Sequence, residues 1–343
     1  MSKFIQLHLL TSYPPSNPNR DDLGRPKTAR MGGVDRLRIS SQSLKRAWRT
    51  SDVCMDKLTG NTGIRTKHIG DEVYKRLVTG EINEKKAMKW AGVIASQFGK
   101  LKKDSVEIEQ LVHVSKEELE LVYALVDKLI VENRDPENNE LKFLRNKVNS
   151  VDIALFGRML ASSPEKNIEA AAQVAHAISV NQIVIEDDYF TAVDDLNSKE
   201  NAGASHISEA GFSSGVFYIY ICINKTLLIE NLNGNIDLAN AAIQAYIEAA
   251  LTVAPSGKQN SYANRVRASY SLVEIGNQQP RSLSVAFLDP VTEKNQLEAS
   301  INRIATQKEN MDRVYGPCSE ADYSFNVCTG TGSMADLLAF SCK

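Results

Sequence analysis

The sequence has no C-x-x-C pair. Its five cysteines (Cys54, Cys222, Cys318, Cys328 and Cys342) are odd in number and widely spaced, and no histidine follows position 206 to join the last three. That argues against structural zinc and against a disulfide framework, and scattered thiols suit a reducing compartment. No apolar run approaches the ~20 residues that span a bilayer. The start, MSKFIQLHLLTSYPPS, has one lysine and an apolar patch broken by Gln6 and His8. No signal peptide is read there, so the expected location is the cytoplasm, with no membrane partner. Internal repeats and low-complexity tracts are absent. So is any overall surplus of positive charge, since 40 Lys and Arg face 42 Asp and Glu. What remains, 43% hydrophobic and 24% charged residues over 343 positions, is an ordinary globular composition, long enough for two domains or for one with insertions.

The charge is sorted along the chain. Residues 20–49 hold nine cations (Arg20, Arg25, Lys27, Arg30, Arg36, Arg38, Lys45, Arg46 and Arg49) against Asp21, Asp22 and Asp35, a local surplus of six. At its end, RISSQSLKRAWR offers Ser40 or Ser41 as N-cap of a helix running to about Thr50. Gln42, Lys45, Arg46 and Arg49 follow i, i+3, i+4, i+7 and form one polar stripe, with Leu44, Ala47 and Trp48 opposite. Hydroxyls, cations and the free N–H groups of a helix start, gathered in one place, suit phosphate.

Elsewhere the periodicity is mixed. Residues 3–11 read as a strand, 12–33 as a long loop and 36–39 as a short strand. Residues 64–180 turn helical, with a Ser115–Glu118 capping box and a second helical signal in NIEAAAQVAHAISV (167–180). An acidic hairpin is expected across 183–215, then a buried strand in VFYIYICI (216–223) and a helix over 236–254 stopped by Pro255. SLVEI and SLSVAFL read as further strands, and 294–314 as a charged helix. This order predicts an α+β protein with two insertions rather than repeating βαβ units.

Three motifs fail on context. GFSSG (211–215) matches a nucleophile elbow, but the strand follows it instead of preceding it, and a turn into that strand is expected. PSGKQNS (255–261) lacks the first glycine and the hydroxyl of a phosphate loop, although Lys258 after a helix suits a phosphate contact. His176 and His206, with Asp152, Asp194 and Asp195, lack ligand spacing for a metal.

Nine blocks occur in order: NRDD (19–22), GG (32–33), RISSQSLKRA (38–47), VDIALFGRM (151–159), AHAIS (175–179), FTAVDDL (190–196), SH (205–206), FSSGVFY (212–218) and KQNSYA (258–263). Together they resemble the CasC-type backbone subunit of the type I-E CRISPR surveillance complex, Cascade, up to about residue 265. YGPCSEADYSFNVCTGTG, near the C-terminus, matches nothing assignable.

The resemblance implies a modified RRM or ferredoxin-like palm (1–60 and 214–343), helical fingers (61–182) and a β-hairpin thumb (183–213). It implies copies stacked head to tail along a CRISPR RNA, whose spacer pairs with a target DNA strand in antiviral defence. Its other implied partners are a large PAM-recognising subunit, a small subunit and subunits holding the 5′ and 3′ ends of the RNA. The implied RNA-binding residues are Arg20, Lys27, Ser40, Gln42, Lys45, Arg46 and Arg49, with Lys258 and Gln259 in a second loop. Met159 and Phe190, with Thr191 and Tyr189 beside the latter, match positions that wedge next to a base. No catalytic residue, metal or cofactor is implied. In related type III complexes a loop Asp of the backbone subunit cuts RNA, and Asp21, Asp22 or Asp35 would be its counterpart. The acidic hairpin, Asp194 and Asp195 included, is expected to meet a neighbouring copy's basic surface.

Overall fold

The computed structural model describes residues 3–192 and 206–343. The first strand, β1 (Phe4–Ser16), runs past the expected residue 11. Its alternation sends Ile5, Leu7 and Leu9 to one face and Gln6, His8 and Leu10 to the other. β2 (Thr28–Met31) and β3 (Val34–Ile39) form a hairpin turned at Gly32 and Gly33, both with positive φ. Then come α1 (Ser41–Arg49) and α2 (Asp52–Lys57).

The next stretch comprises β4 (Ile64–Thr66), α3 (Ile69–Thr79), α4 (Glu84–Ala95), β5 (Val112–Val114), α5 (Lys116–Glu132) and α6 (Val151–Phe156). Most of it closes around a core of its own, with Val73, Leu77, Trp90, Ile94, Val126 and Leu129 at its centre. The Ser115 capping box forms as the spacing predicts.

β6 (Ala172–Val174), β7 (Ala177–Ser179), β8 (Glu186–Ala192) and β9 (His206–Asn224) follow. After them come α7 (Lys225–Asn231), α8 (Ile236–Thr252), α9 (Gln259–Tyr262), β10 (Tyr270–Gly276), α10 (Gln296–Tyr315), β11 (Ala321–Asn326) and α11 (Met334–Ser341). The strands build one antiparallel sheet in the order β11-β10-β1-β9-β7-β3-β2, with β6 and β8 also on β9. The fold is therefore α+β around a large antiparallel sheet. One face packs on α1, α7, α8 and α11 through Leu44, Trp48, Ile243 and Phe340. The other is covered by α10 and the 283–291 segment through Leu283, Phe287 and Ile304. Burial on both faces explains why β9 reads apolar at every position from 216 to 219.

Several expectations are corrected. Residues 167–180 are not helical. They become β6 and β7, which lie along β9 with Ala172 opposite Ile223 and Ile178 opposite Tyr218. Alanine's helix preference over ordinary residues is at most about 0.7 kcal/mol per position. Ladder bonds on β9, and on β3 at Ala177, together with burial of Ala177, outweigh it. SLSVAFL is not a strand but a 3₁₀ turn over Ser284–Phe287. Its carbonyls at Phe287 and Leu288 are claimed by the Arg36 guanidinium, and Leu288 lies against Gly32, leaving no room for a ladder. GFSSG is not a turn. It lies inside β9, where the Ser213 hydroxyl donates to the Val184 carbonyl. The 12–33 loop is interrupted by the end of β1 and by β2. Asp194, Asp195 and the hairpin tip lie outside the described residues. Among those described, no helix is long and apolar enough to cross a membrane.

Candidate nucleic-acid interface

The basic segment is organised by two asparagines. Asn19 Oδ1 accepts from the Ser40 N–H at 2.9 Å, which pins the 17–27 loop to the start of α1. Asn17 Nδ2 donates to the carbonyls of Gly24 (3.0 Å) and Gly211 (2.8 Å), tying the same loop to the base of the β8–β9 hairpin. Asp21 Oδ1 accepts the N–H groups of Leu23 and Arg25, so this carboxylate shapes the loop. Asp35 pairs across the β2–β3 hairpin from Arg30, and Asp22 faces a cleft.

That cleft, about 500 Å³, is lined by Arg20, Asp22, Ser43, Arg46 and Gly257 among others. It adjoins a hollow of about 340 Å³, sharing Ala47, Thr50 and Ser256 with it and adding Gln259 and Arg265. The two loops meet because position 257 has no side chain: a Cβ there would lie 2.2 Å from the Pro18 carbonyl oxygen. Lys258, at positive φ, then opens α9. Arg20, Arg46 and Gln259 are thus gathered in two adjoining hollows, while Lys258, between Gly257 and Gln259 in the chain, lines neither. Arg265 joins them, a residue that sequence reasoning missed because it lies in no patterned run.

The polar stripe of α1 splits in two. Arg46 faces the cleft, beside Ser43 and Thr50 from outside the stripe, whereas Lys45 and Arg49 turn towards α6 and β4. The Lys45 ammonium lies 5.8 Å from the centroid of the Phe156 ring. Burial, then the nearby Arg65, lowers its pKa. Arg49 approaches the buried carboxylate of Asp152 at 3.6 Å. Asp152 also accepts from His113 and from the Gly63 N–H, at 2.7 and 2.8 Å.

The helix start is less open than the sequence implies. Ser40 is the N-cap and accepts from the Ser43 N–H, and the Ser41 N–H donates to His176 Nδ1 at 3.0 Å. Recognition of an anion here therefore falls mainly to side chains. Of the nine cations, Arg36 is fully buried and braces four carbonyls, those of Ser179, Val180, Phe287 and Leu288. Arg25 pairs with Asp187 at 2.9 Å, and Arg30 donates to the Gly33 carbonyl. Arg20, Lys27, Arg38, Lys45 and Arg46 have no carboxylate within 4.0 Å among the described residues.

Met159 lies apart from this groove. It is 85% exposed, beside a hollow of about 290 Å³ that it shares with Leu111 and Leu160. The preceding residue holds it there. Arg158 is buried and donates to both oxygens of Glu118, the capping-box residue, at 2.7 and 2.9 Å. Phe190 and Tyr189, 41% and 61% exposed, stand with the exposed Thr191 on β8. None of these side chains lines the two grooves beside α1.

A family model described as "CT1975-like protein" matches residues 5–337. A chain of a "CRISPR RNA-guided surveillance complex, pre-nicking" is similar with 28% identity and a TM-score of 0.84, over 98% of this chain and 99% of that one. A chain of a "CRISPR RNA-guided surveillance complex" superposes with a TM-score of 0.63 at 24% identity, over 99% and 98%, and shares the fold. No curated protein matches.

Proposed function

We propose, from the premise that this chain belongs to the CT1975-like protein family, that it is a CRISPR RNA-binding backbone subunit of a type I-E Cascade, of the CasC type. Its likeness to a surveillance-complex chain over nearly the whole of both supports membership of such an assembly. The observation that carries RNA binding is that five cations, Arg20, Lys27, Arg38, Lys45 and Arg46, stand around one groove and one helix start with no carboxylate within 4.0 Å among the described residues. A subunit that serves any spacer has to hold phosphate and ribose and leave base edges to pairing. A polar, cationic, base-indifferent groove does that.

In this reading the antiparallel sheet with its covering helices is an RRM-like palm, the segment from β4 to α6 is the fingers, and the β8–β9 hairpin is the thumb. Met159 and Phe190 are exposed apolar wedges. Unstacking a base step costs a few kcal/mol, offset by backbone contacts. Copies stack head to tail along the guide RNA, the spacer pairs with target DNA, and other subunits hold the RNA ends and read the PAM. The subunit is non-catalytic, and the bonds Asp21 makes to its own loop support that role over cleavage.

The test is reconstitution. Co-expressed with the other subunits and a guide transcript, the chain is expected to copurify with the RNA in several copies per complex, read by native mass. The double variant Arg20→Ala, Arg46→Ala should lose the RNA. Assembly of the wild type without RNA would overturn the reading. Regularly spaced cuts in complementary RNA with Mg²⁺, abolished by Asp→Ala, would overturn the non-catalytic role.

A further inference from the structure

We infer that His176 is a further RNA-backbone contact, a neutral imidazole whose Nε2–H donates to a phosphate oxygen of the strand gripped by Lys27, Arg38 and Lys45; this rests on the RNA-binding reading above. The Ser41 N–H donates to His176 Nδ1 at 3.0 Å. A ring nitrogen that accepts a hydrogen bond carries no proton, so the proton sits on Nε2. The helix start thereby selects the tautomer and holds the ring. The residue is exposed in the short link between β6 and β7, and its Nε2 has no acceptor among the described residues.

The charged groups whose fields reach the ring are those of Arg38 in β3, Lys45 in α1 and Lys27 in the loop before β2. None has a carboxylate within 4.0 Å among the described residues. Partial burial and these three cations hold the imidazole below its ordinary pKa, hence neutral at neutral pH. The site therefore combines three positive charges, one oriented neutral donor and, among the described residues, no anion paired with them. A phosphate diester supplies the missing charge and the missing acceptor together.

The experiment titrates fluorescein-labelled single-stranded RNA of mixed sequence into the full chain, as wild type, His176→Ala, His176→Gln and Lys45→Ala, across a salt series. Loss of a hydrogen bond from a neutral donor to a charged phosphate should weaken His176→Ala by about tenfold or more at every salt concentration. The slope of log affinity against log salt should stay unchanged, because a neutral donor displaces no counterion. Glutamine can accept from Ser41 and donate onward, so His176→Gln should bind within about twofold of wild type. Lys45→Ala should lower the slope instead. In imidazole ¹⁵N spectra of the wild type, the Nε2 resonance should move on adding RNA.

Wild-type affinity in His176→Ala would overturn the inference. So would a His176→Gln variant as weak as the alanine one with a stationary Nε2 signal. If the alanine variant melts early, the glutamine variant and the resonance still decide. A wild type that binds no RNA removes the parent reading and this one together, whereas a normal Lys45→Ala effect beside a silent His176 removes only this one.

Discussion

At the scale of single residues, the cations near α1 divide by what they touch. Lys45 lies half-buried over the Phe156 ring with no carboxylate within 4.0 Å among the described residues, so Lys45→Ala should lower the salt slope of RNA binding by about one unit, measured by titration at several ionic strengths. Arg36 is equally basic in the sequence, yet it is a strut that braces four buried carbonyls. Arg36→Ala should leave that slope intact and lower thermal stability by roughly 3 kcal/mol or more, because several buried acceptors lose their partner at once. Gly257→Ala keeps every charge, but its new methyl would meet the Pro18 carbonyl. The expected result is weaker RNA binding with little change in slope, since the loops part while their cations remain. The sorted charge and the serine pair were legible in the sequence. Which cations are braces was not, because burial depends on residues some 140 to 250 positions away.

At the scale of elements, local signals succeeded where neighbours agree with them. Ser40 caps α1 as its spacing predicts, and Ser40→Ala should cost about 1 kcal/mol in thermal unfolding. The Ser115–Glu118 capping box forms too, but Glu118 also binds the buried Arg158. Glu118→Ala should therefore cost about 3–5 kcal/mol, several times a lost cap, by leaving a buried guanidinium unpaired. The same variant should loosen Met159 next door, read as altered exposure of guide bases to chemical probes in the assembled complex. Local signals failed at 167–180 and 282–288. There a sheet edge needs ladder partners, or a guanidinium needs carbonyls, and those long-range demands exceed weak intrinsic propensity. The glycine and proline content of the first loop was legible. Its lashing to the hairpin by Asn17 was not, since one asparagine makes no pattern.

At the scale of the whole molecule, a buried polar relay crosses the sheet. The Leu283 N–H donates to the Tyr218 hydroxyl, which donates to His8 Nδ1, and His8 Nε2–H donates to Glu274, which Arg281 also holds. Burial opposes ionisation of Glu274, but the bonds from His8 and Arg281 win and hold its pKa at about 2, below the ordinary 4.5. The unfolded chain thus binds this proton at higher pH than the folded one. The associated stability is complete above pH 4.5 and lost as pH falls towards 2, on the order of 3 kcal/mol. Burial keeps His8 below its ordinary pKa, so charging it on acidification acts in the same direction. Denaturant melts of wild type should weaken across that window, and Glu274→Gln should flatten the decline. By itself the sequence determined the α+β class, the capped cationic helix and the motif blocks that resemble a CRISPR backbone subunit. Each of these is written in neighbouring residues, through side-chain periodicity and local hydrogen bonding. Only the tertiary structure decided which cations have no carboxylate beside them among the described residues, how the loops at 17–27 and 255–265 form one groove, and which nitrogen of His176 accepts from the Ser41 N–H. Those outcomes depend on groups far apart in the chain, whose desolvation and pairing exist only once the sheet has closed.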